Sequence, residues 1–309
     1  MNKVYWGDCR ESLRQMKEEG IKVQTCVTSP PYYGLRDYGH DGQIGNEQTP
    51  QEFIDNLVEV FACVWDVLAD DGTLWVNLGD SYANNSSQAS NNGRAGFGNE
   101  RERVINRIGN GYKQKDLMGM PWRLAFALQD FGWYLRQDII WHKPNPMPES
   151  VKDRCTKSHE YIFLLSKKPQ YYFDNDAIRE PHKRLWDESN GGNMSDVGHK
   201  KNGKIEEKNT HPKGYPLPNE LGANKRDVWT INTKPYSGSH FAVFPTELIE
   251  PCILAGSQVG DIVLDPFFGS GTTGQVSQQL GRKWIGCELN KDYESLQNER
   301  VSQQGLELI

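Results

Sequence analysis

The stretch that most constrains the fold lies near the end of the chain, where residues 261–289 read DIVLDPFFGSGTTGQVSQQLGRKWIGCEL. An apolar run is followed by a glycine-rich turn, a helical pattern and a second apolar run that ends in an acid. This order predicts strand, turn, helix and strand, the repeating unit of a parallel α/β sheet. The turn GSGTTG, residues 269–274, has the G-x-G-x-x-G spacing that lets a ligand approach the backbone closely at the mouth of a sheet.

The rest of the chain continues the same alternation. Strand-length apolar runs occupy residues 4–7, 23–28, 72–82, 133–143 and 159–167, and helical patterns occupy residues 50–68, 121–132 and 244–256. Strands that alternate with helices are typical of an α/β fold with a mostly parallel sheet. We therefore predict one large α/β domain.

Two polar regions interrupt this alternation. Residues 83–115 are rich in Asn, Ser and Gly and then basic, with six Lys or Arg against two Glu in residues 94–115. Residues 174–240 are polar and weakly periodic. Long polar segments inside a compact domain are usually functional or disordered. We predict a domain of residues 1–173 and 241–309, with a mobile loop at 83–115 and a separate region at 174–240.

The overall composition excludes several classes of protein. The 309 residues include 35 basic and 41 acidic ones, a net charge of −6, which argues against binding to nucleic acid by bulk charge alone. Six cysteines lie singly, without a C-x-x-C pair, so neither a disulfide framework nor a zinc site is expected. The sequence shows no signal peptide and no membrane-spanning run, which predicts a soluble cytoplasmic protein with no membrane partner.

The glycine turn predicts a ligand of the adenosine type. Glu288 ends the second strand, where a carboxylate can accept hydrogen bonds from ribose hydroxyls. A nicotinamide-dependent oxidoreductase is the alternative. Against it, Asp265 would repel a pyrophosphate although it could hold an ammonium group, and the N-terminal half carries its own strand-end motif. Moreover, only about 20 residues follow Glu288, whereas a second βαβ unit needs about 30.

That second motif is TSPPY, residues 28–32, at the end of an apolar run. Each proline fixes its own φ and keeps the preceding residue extended, so the backbone carbonyls point in defined directions. The Ser29 hydroxyl and the Pro30 carbonyl can accept the two N–H groups of a planar amine, while Tyr32 stacks on the ring that carries it. Two acceptors outside the ring plane favour a pyramidal nitrogen whose lone pair can attack an electrophile.

Together, TSPPY and the downstream DPFFGSGTT resemble the S-adenosylmethionine-dependent DNA amino-methyltransferases, which methylate cytosine N4 or adenine N6. Because the catalytic motif precedes the cofactor motif, the order resembles the β class, a circular permutation of the family. The resemblance covers most of the chain and includes GDC (7–9), LWVNLGDSY (74–82), DIIWHKPNPMP (138–148), HEYIFLLSK (159–167) and HFAVFPTELIE (240–250). It implies a Rossmann-like methyltransferase sheet, circularly permuted and mostly parallel, with a target-recognition insertion at 174–240.

The resemblance also implies which residues form the site. The target base would be held by Ser29, Pro30, Pro31 and Tyr32. Asp8 would meet the cofactor adenine, and Glu288 the ribose. The remaining cofactor contacts, several of them at the methionine end, would come from Thr28, Phe244, Pro245, Asp265, Pro266, Phe267, Gly269, Ser270, Gly271 and Thr272. Neither a metal nor a catalytic cysteine is required.

The implied reaction is direct methyl transfer to a base flipped out of double-stranded DNA. Ser29 favours cytosine N4, because most adenine N6 members carry Asp or Asn at that position, and adenine N6 is the alternative. Phosphate contacts from the basic loop would add affinity, and location on the nucleoid would follow from DNA binding. A non-catalytic DNA-binding module, RNA or protein amine substrates, a homodimer and a cognate restriction endonuclease all stay open at this point.

Overall fold

The computed structural model describes residues 2–35, 40, 42–83, 112–182, 219–233 and 244–302. Within these residues the chain forms eight strands and six α-helices. The strands are β1 (Asn2–Trp6), β2 (Val23–Thr28), β3 (Leu68–Leu78), β4 (Tyr134–His142), β5 (His159–Ser166), β6 (Val228–Thr230), β7 (Ile262–Asp265) and β8 (Lys283–Glu288). The helices are α1 (Cys9–Glu18), α2 (Pro50–Val67), α3 (Met120–Phe131), α4 (Thr246–Gly256), α5 (Thr272–Gln279) and α6 (Glu294–Ser302).

The strands form one sheet in the order β1-β8-β7-β2-β3-β5-β4-β6. Strand β5 pairs antiparallel with both β3 and β4, and every other pairing in the described sheet is parallel. The carboxyl ends of seven strands therefore lie at one edge. The predicted α/β class and mostly parallel sheet are confirmed.

The helices cover the sheet in two groups. Helix α2 packs on both α1 and α3, and α5 packs on both α4 and α6. The first group belongs to connections that run from β1 towards β4. Helices α4 and α5 of the second group belong to connections that run back from β6 towards β8, and α6 follows β8. Because crossovers between parallel strands are right-handed, opposite directions put the two groups on opposite faces. In the described part of the chain, no helix is long and apolar enough to cross a membrane.

Local sequence explains where the helices begin. Thr49 and Glu52 form a reciprocal capping box, and Pro50 occupies the first turn of α2, so the predicted helix at 50–68 is confirmed. Helix α1 was not predicted. It begins because the Asp8 side chain accepts the N–H of Arg10, and its buried face then packs inward.

The chain divides into two compact units, residues Asn175–Lys225 and the rest. In the smaller unit, Arg179 bonds the carbonyl of Gly222, and Glu180 pairs with Ala223. Strand β6, three residues long, falls within the predicted region 174–240, and its pairing with β4 places the strand in the sheet. The extent of the recognition region stays a prediction. Most of the predicted mobile loop at 83–115 lies outside the described residues.

Candidate active site

The site lies between β2 and β7, where the connections from one strand to the next change direction across the sheet. Strands β2 and β7 are parallel neighbours, with Cys26 opposite Leu264. The chain continues from β2 towards β3 on one side and from β7 towards β8 on the other. The carboxyl ends at such a switch point leave a crevice, which is where open α/β sheets bind ligands. The two predicted motifs emerge at this point, because one follows β2 and the other follows β7.

A buried hydrogen bond joins the two motifs. Thr28 Oγ1 donates to Asp265 Oδ1 over 2.6 Å, and both residues are 1% exposed. The same carboxylate accepts the Thr273 hydroxyl at 2.6 Å and the Phe267 N–H at 3.0 Å. Asp265 therefore ties the start of TSPPY to both ends of the glycine turn.

The glycine turn is closed by Glu288 at the end of β8. Its Oε2 accepts the Gly269 N–H at 2.7 Å, and its Oε1 accepts the Asn290 N–H at 2.8 Å. Gly269 and Gly271 have φ of +51° and +85°, which residues with a side chain rarely adopt. Gly271 is also the residue before α5, so the turn presents the free N–H groups of a helix start.

Burial changes the acidity of both carboxyl groups at the site. Burial raises the pKa of Asp265 to about 6, although hydrogen bonds from Thr273, Thr28 and the Phe267 N–H act to lower it. Burial also raises the pKa of Glu288 to about 7, against the lowering effect of the Asn290 and Gly269 N–H groups. Both groups therefore titrate near neutral pH.

Phe268 sets the position of the turn, and sequence reasoning did not identify it. Its ring stacks on Trp284 with centroids 5.0 Å apart. A Cβ on Gly286 would lie 2.3 Å from the Phe268 ring, and one on Gly274 would lie 2.7 Å from it. The third glycine of the G-x-G-x-x-G spacing is thus required for close packing between α5 and β8.

Helix α6 supports the turn from outside the predicted motif. Gln297 Nε2 donates to the Gly269 carbonyl at 2.7 Å, and Arg300 contacts the Thr272 hydroxyl. Within the described residues, Ser270 Oγ and Gln297 Oε1 are buried without a hydrogen-bond partner. Unpaired buried polar atoms call for a missing partner. The turn, with its open backbone, acidic groups and unpaired hydroxyl, fits a polar ligand that carries hydroxyl and ammonium groups.

The remaining predicted cofactor residues lie at the same edge. The Gly7 N–H donates to the Glu288 carbonyl at 2.9 Å, which places Asp8 beside the end of β8. Burial would raise the pKa of Asp8, but its bonds to Arg10 leave that pKa lowered. Phe244 and Pro245 immediately precede α4, and Pro266 is buried beside Asp265.

On the other side of the switch point, Ser29 is partly exposed and Pro30 is buried, while Pro31 and Tyr32 are partly buried. The Tyr32 hydroxyl donates to Glu160 Oε2 over 2.7 Å. Gly79 allows this approach, because a Cβ there would lie 2.6 Å from Tyr32 Cε2. All six cysteines are free thiols, and no group of three or more His, Cys, Asp or Glu in the described chain is placed to hold a metal.

The raised pKa of Asp265 predicts that its contribution to stability is lost as the pH rises. Below its ordinary pKa of 3.8 the carboxyl is neutral in both states. Between that value and about 6 the unfolded chain ionises while the folded protein keeps the proton, so the free energy of unfolding falls by about 3 kcal/mol. The Asp265→Asn side chain stays neutral at every pH. Between pH 4.5 and 7.5, the free energy of unfolding measured with urea should therefore fall less in this variant than in the wild type. Equal falls in both proteins would contradict this.

An open sheet whose switch point joins a glycine turn to a diproline motif defines the class of Rossmann-like methyltransferases. A family model described as DNA methylase matches residues 23–299, and the chain belongs to this family. Type II methyltransferase M.SmaI of Serratia marcescens is 48% identical over 97% of this chain and 90% of its own length. M.Cfr9I of Citrobacter freundii, also a Type II methyltransferase, is 44% identical over 99% of this chain and 89% of its own length.

Solved structures agree on the fold. The cytosine-N4-specific PvuII DNA methyltransferase superimposes with a TM-score of 0.62 at 19% identity, covering 97% of this chain and 86% of that one. The complex of M1.HpyAVI with SAM superimposes with a TM-score of 0.56 at 18% identity, covering 98% of this chain and 100% of that one. The protein is therefore a DNA amino-methyltransferase, as the sequence predicted, and the oxidoreductase alternative is not supported.

Proposed function

We propose that this enzyme methylates the N4 atom of a cytosine flipped out of double-stranded DNA. The observation that carries the proposal is the 2.6 Å hydrogen bond between Thr28 and Asp265, which fixes the base motif beside the cofactor turn. Ser29 at the first position of the base motif favours cytosine. The cytosine-N4 specificity of the PvuII enzyme, which has the same fold, agrees with this assignment.

In this proposal the residues after β2 hold the target base. The Ser29 hydroxyl and the Pro30 carbonyl accept the two amine N–H groups, and the Tyr32 ring stacks on the base. Pro31 keeps the segment extended. These contacts favour the pyramidal nitrogen of the transition state over the planar amine of the ground state. Flipping is required because the amine lies within the base stack, and unstacking costs a few kcal/mol.

The residues after β7 and β8 hold the cofactor, which supplies a methyl group activated by a sulfonium. Glu288 accepts hydrogen bonds from the ribose, and Asp8 lies near the adenine. The methionine end lies on the turn, with contacts from Thr28, Phe244, Pro245 and the segment 265–267 together with 269–272. The two Asp265 oxygens accept hydrogen bonds from three protein donors, which leaves one lone pair of the carboxylate free. That lone pair and the negative charge attract the ammonium group of the cofactor.

The insertion and the basic loop complete the proposal. Residues 174–240 read the recognition sequence, and residues 83–115 contact the phosphates. The relatives named Type II methyltransferases support a role in a restriction–modification pair, inside the cell on the nucleoid. No metal takes part in the proposed reaction. Size-exclusion chromatography with light scattering, with and without DNA, would test for a homodimer.

The product identifies the target atom. We expect plasmid DNA incubated with the enzyme and methyl-labelled S-adenosylmethionine to yield labelled N4-methyldeoxycytidine after digestion to nucleosides. A duplex containing only A·T pairs is the matched control and should accept no label. Labelled N6-methyldeoxyadenosine would overturn the cytosine assignment in favour of adenine, and label on RNA or protein alone would overturn DNA as the substrate.

A further inference from the structure

Helix α6 docks on the rest of the protein through a polar side chain. A helix on the surface of a domain usually packs with a stripe of apolar residues. Of the nine residues of α6, all of which the structure describes, Gln297 is the one that is buried, with 3% of its surface exposed. The docking of α6 therefore depends on what the Gln297 amide contacts.

The amide contacts the first residue of the glycine turn. Gln297 Nε2 donates to the Gly269 carbonyl at 2.7 Å, while Glu288 Oε2 accepts the Gly269 N–H at 2.7 Å. Both backbone polar groups of Gly269 are thus bonded to side chains, one from β8 and one from α6. Gly269 has φ of +51°, and a glycine leaves such a conformation readily because many backbone conformations are open to it. The two side chains together fix its conformation.

Helix α6 also contacts the turn further along. Gln297 Cγ lies 3.5 Å from the position that a Cβ on Gly271 would occupy, and the Gln297 Cα lies 3.6 Å from it. One turn later in α6, Arg300 contacts the hydroxyl of Thr272, the first residue of α5. Helix α6 therefore supports both positive-φ glycines of the turn and the point where the turn enters α5.

Stability alone does not explain an amide at this position. Within the described residues, Gln297 Oε1 is buried without a hydrogen-bond partner. A buried acceptor left unpaired costs more than one ordinary hydrogen bond returns. An apolar side chain of the same length would avoid this cost, because Gly269 is partly exposed and its carbonyl could bond to water instead. The amide is better explained by its effect on the turn.

We propose that Gln297 is a positioning residue for cofactor binding: from α6 it holds the Gly269 carbonyl, so that the glycine turn has the conformation that receives S-adenosylmethionine before the cofactor arrives. The proposal rests on the assignment of this turn to the cofactor under the proposed function. Gln297 acts through Gly269 and not by contact with the cofactor. A turn that is ordered in advance loses less conformational entropy on binding, which raises the affinity.

The test compares cofactor affinity with stability in Gln297→Met, which keeps the length of the side chain and removes the amide. We expect calorimetric titration to show that S-adenosylhomocysteine binds about tenfold more weakly, the effect of losing about one hydrogen bond. The unfolding temperature of the cofactor-free variant should not be lower than that of the wild type. Gln24→Met is the matched control. It makes the same chemical change at the amino end of β2, where the amide donates to Asp71 at 3.3 Å, and it should bind the cofactor as the wild type does.

Two results would overturn the proposal. One is a Gln297→Met affinity within twofold of the wild type. The other is a weaker affinity together with a lower unfolding temperature, which is what a merely structural role predicts. Gly271→Val separates these failures from a failure of the proposed function. Normal affinity in Gly271→Val would show that the turn is not the cofactor site, whereas weak affinity there and normal affinity in Gln297→Met would remove only the role of Gln297.

A measurement on the wild type tests the same coupling without depending on a variant. Coupling between two parts of a protein is reciprocal, so a cofactor that binds the turn must in return stabilise the docking of α6. We expect saturating S-adenosylhomocysteine to slow amide hydrogen exchange in α6, and Gln297→Met to reduce this protection at the same saturation. Equal exchange in α6 with and without the ligand would contradict the proposal.

Discussion

Replacing Ser29 by alanine is expected to lower the single-turnover rate of methyl transfer about 100-fold, the usual cost of removing one positioned hydrogen-bonding group from a transition state. The affinity for S-adenosylmethionine should stay the same, because Ser29 follows β2, whereas the cofactor turn follows β7 and is held by Asp265 and Glu288. Rapid-quench transfer assays and calorimetric titration of the cofactor measure the two quantities.

Ser166→Ala is the matched control for this experiment. Its hydroxyl is buried at the opposite edge of the sheet, where it donates to the Lys168 carbonyl at 2.8 Å. The control should transfer methyl groups at the wild-type rate even if it unfolds at a lower temperature. A Ser29→Ala enzyme with normal turnover would remove Ser29 from the catalytic group.

Gly271→Val should have the opposite effect and lose the cofactor first. Gly271 has φ of +85°, and a Cβ there would lie 3.3 Å from the Phe268 ring and 3.5 Å from Gln297. Strain at such a position costs of the order of 1–3 kcal/mol, and a shift of the turn that relieves it should weaken S-adenosylmethionine binding by about 10- to 100-fold. Calorimetric titration of the variant measures the affinity.

Gly260→Val separates backbone strain from damage to the site. Gly260 has φ of +90°, with nothing within 4 Å of its position for a Cβ, and it lies before β7 at the opposite edge of the sheet. It should lose stability through the same strain and keep its cofactor affinity. Normal affinity in Gly271→Val would refute the assignment of the turn as the cofactor site.

The parts of the site that sequence predicted are local. The diproline segment and the glycine turn are contiguous, and each requires residue types whose backbone preferences can be read directly. The parts that it missed depend on partners far along the chain. Glu160 lies 128 residues from Tyr32, and Gln297 lies 28 residues from Gly269. Neither has a signature of its own, since an isolated acid or amide in a sequence is usually a solvated surface residue.

By itself, the sequence determined the alternation of strands and helices, the two strand-end motifs and hence the class of chemistry, because periodicity, proline and glycine act on the neighbouring backbone. Only the tertiary structure decided that β5 runs against its neighbours and that β6 joins the sheet. It also brought Thr28 within 2.6 Å of Asp265, 237 residues away, and placed the Gln297 amide against the Gly269 carbonyl. These features depend on strand order and on which buried polar groups find partners, and both are settled when the chain packs as a whole.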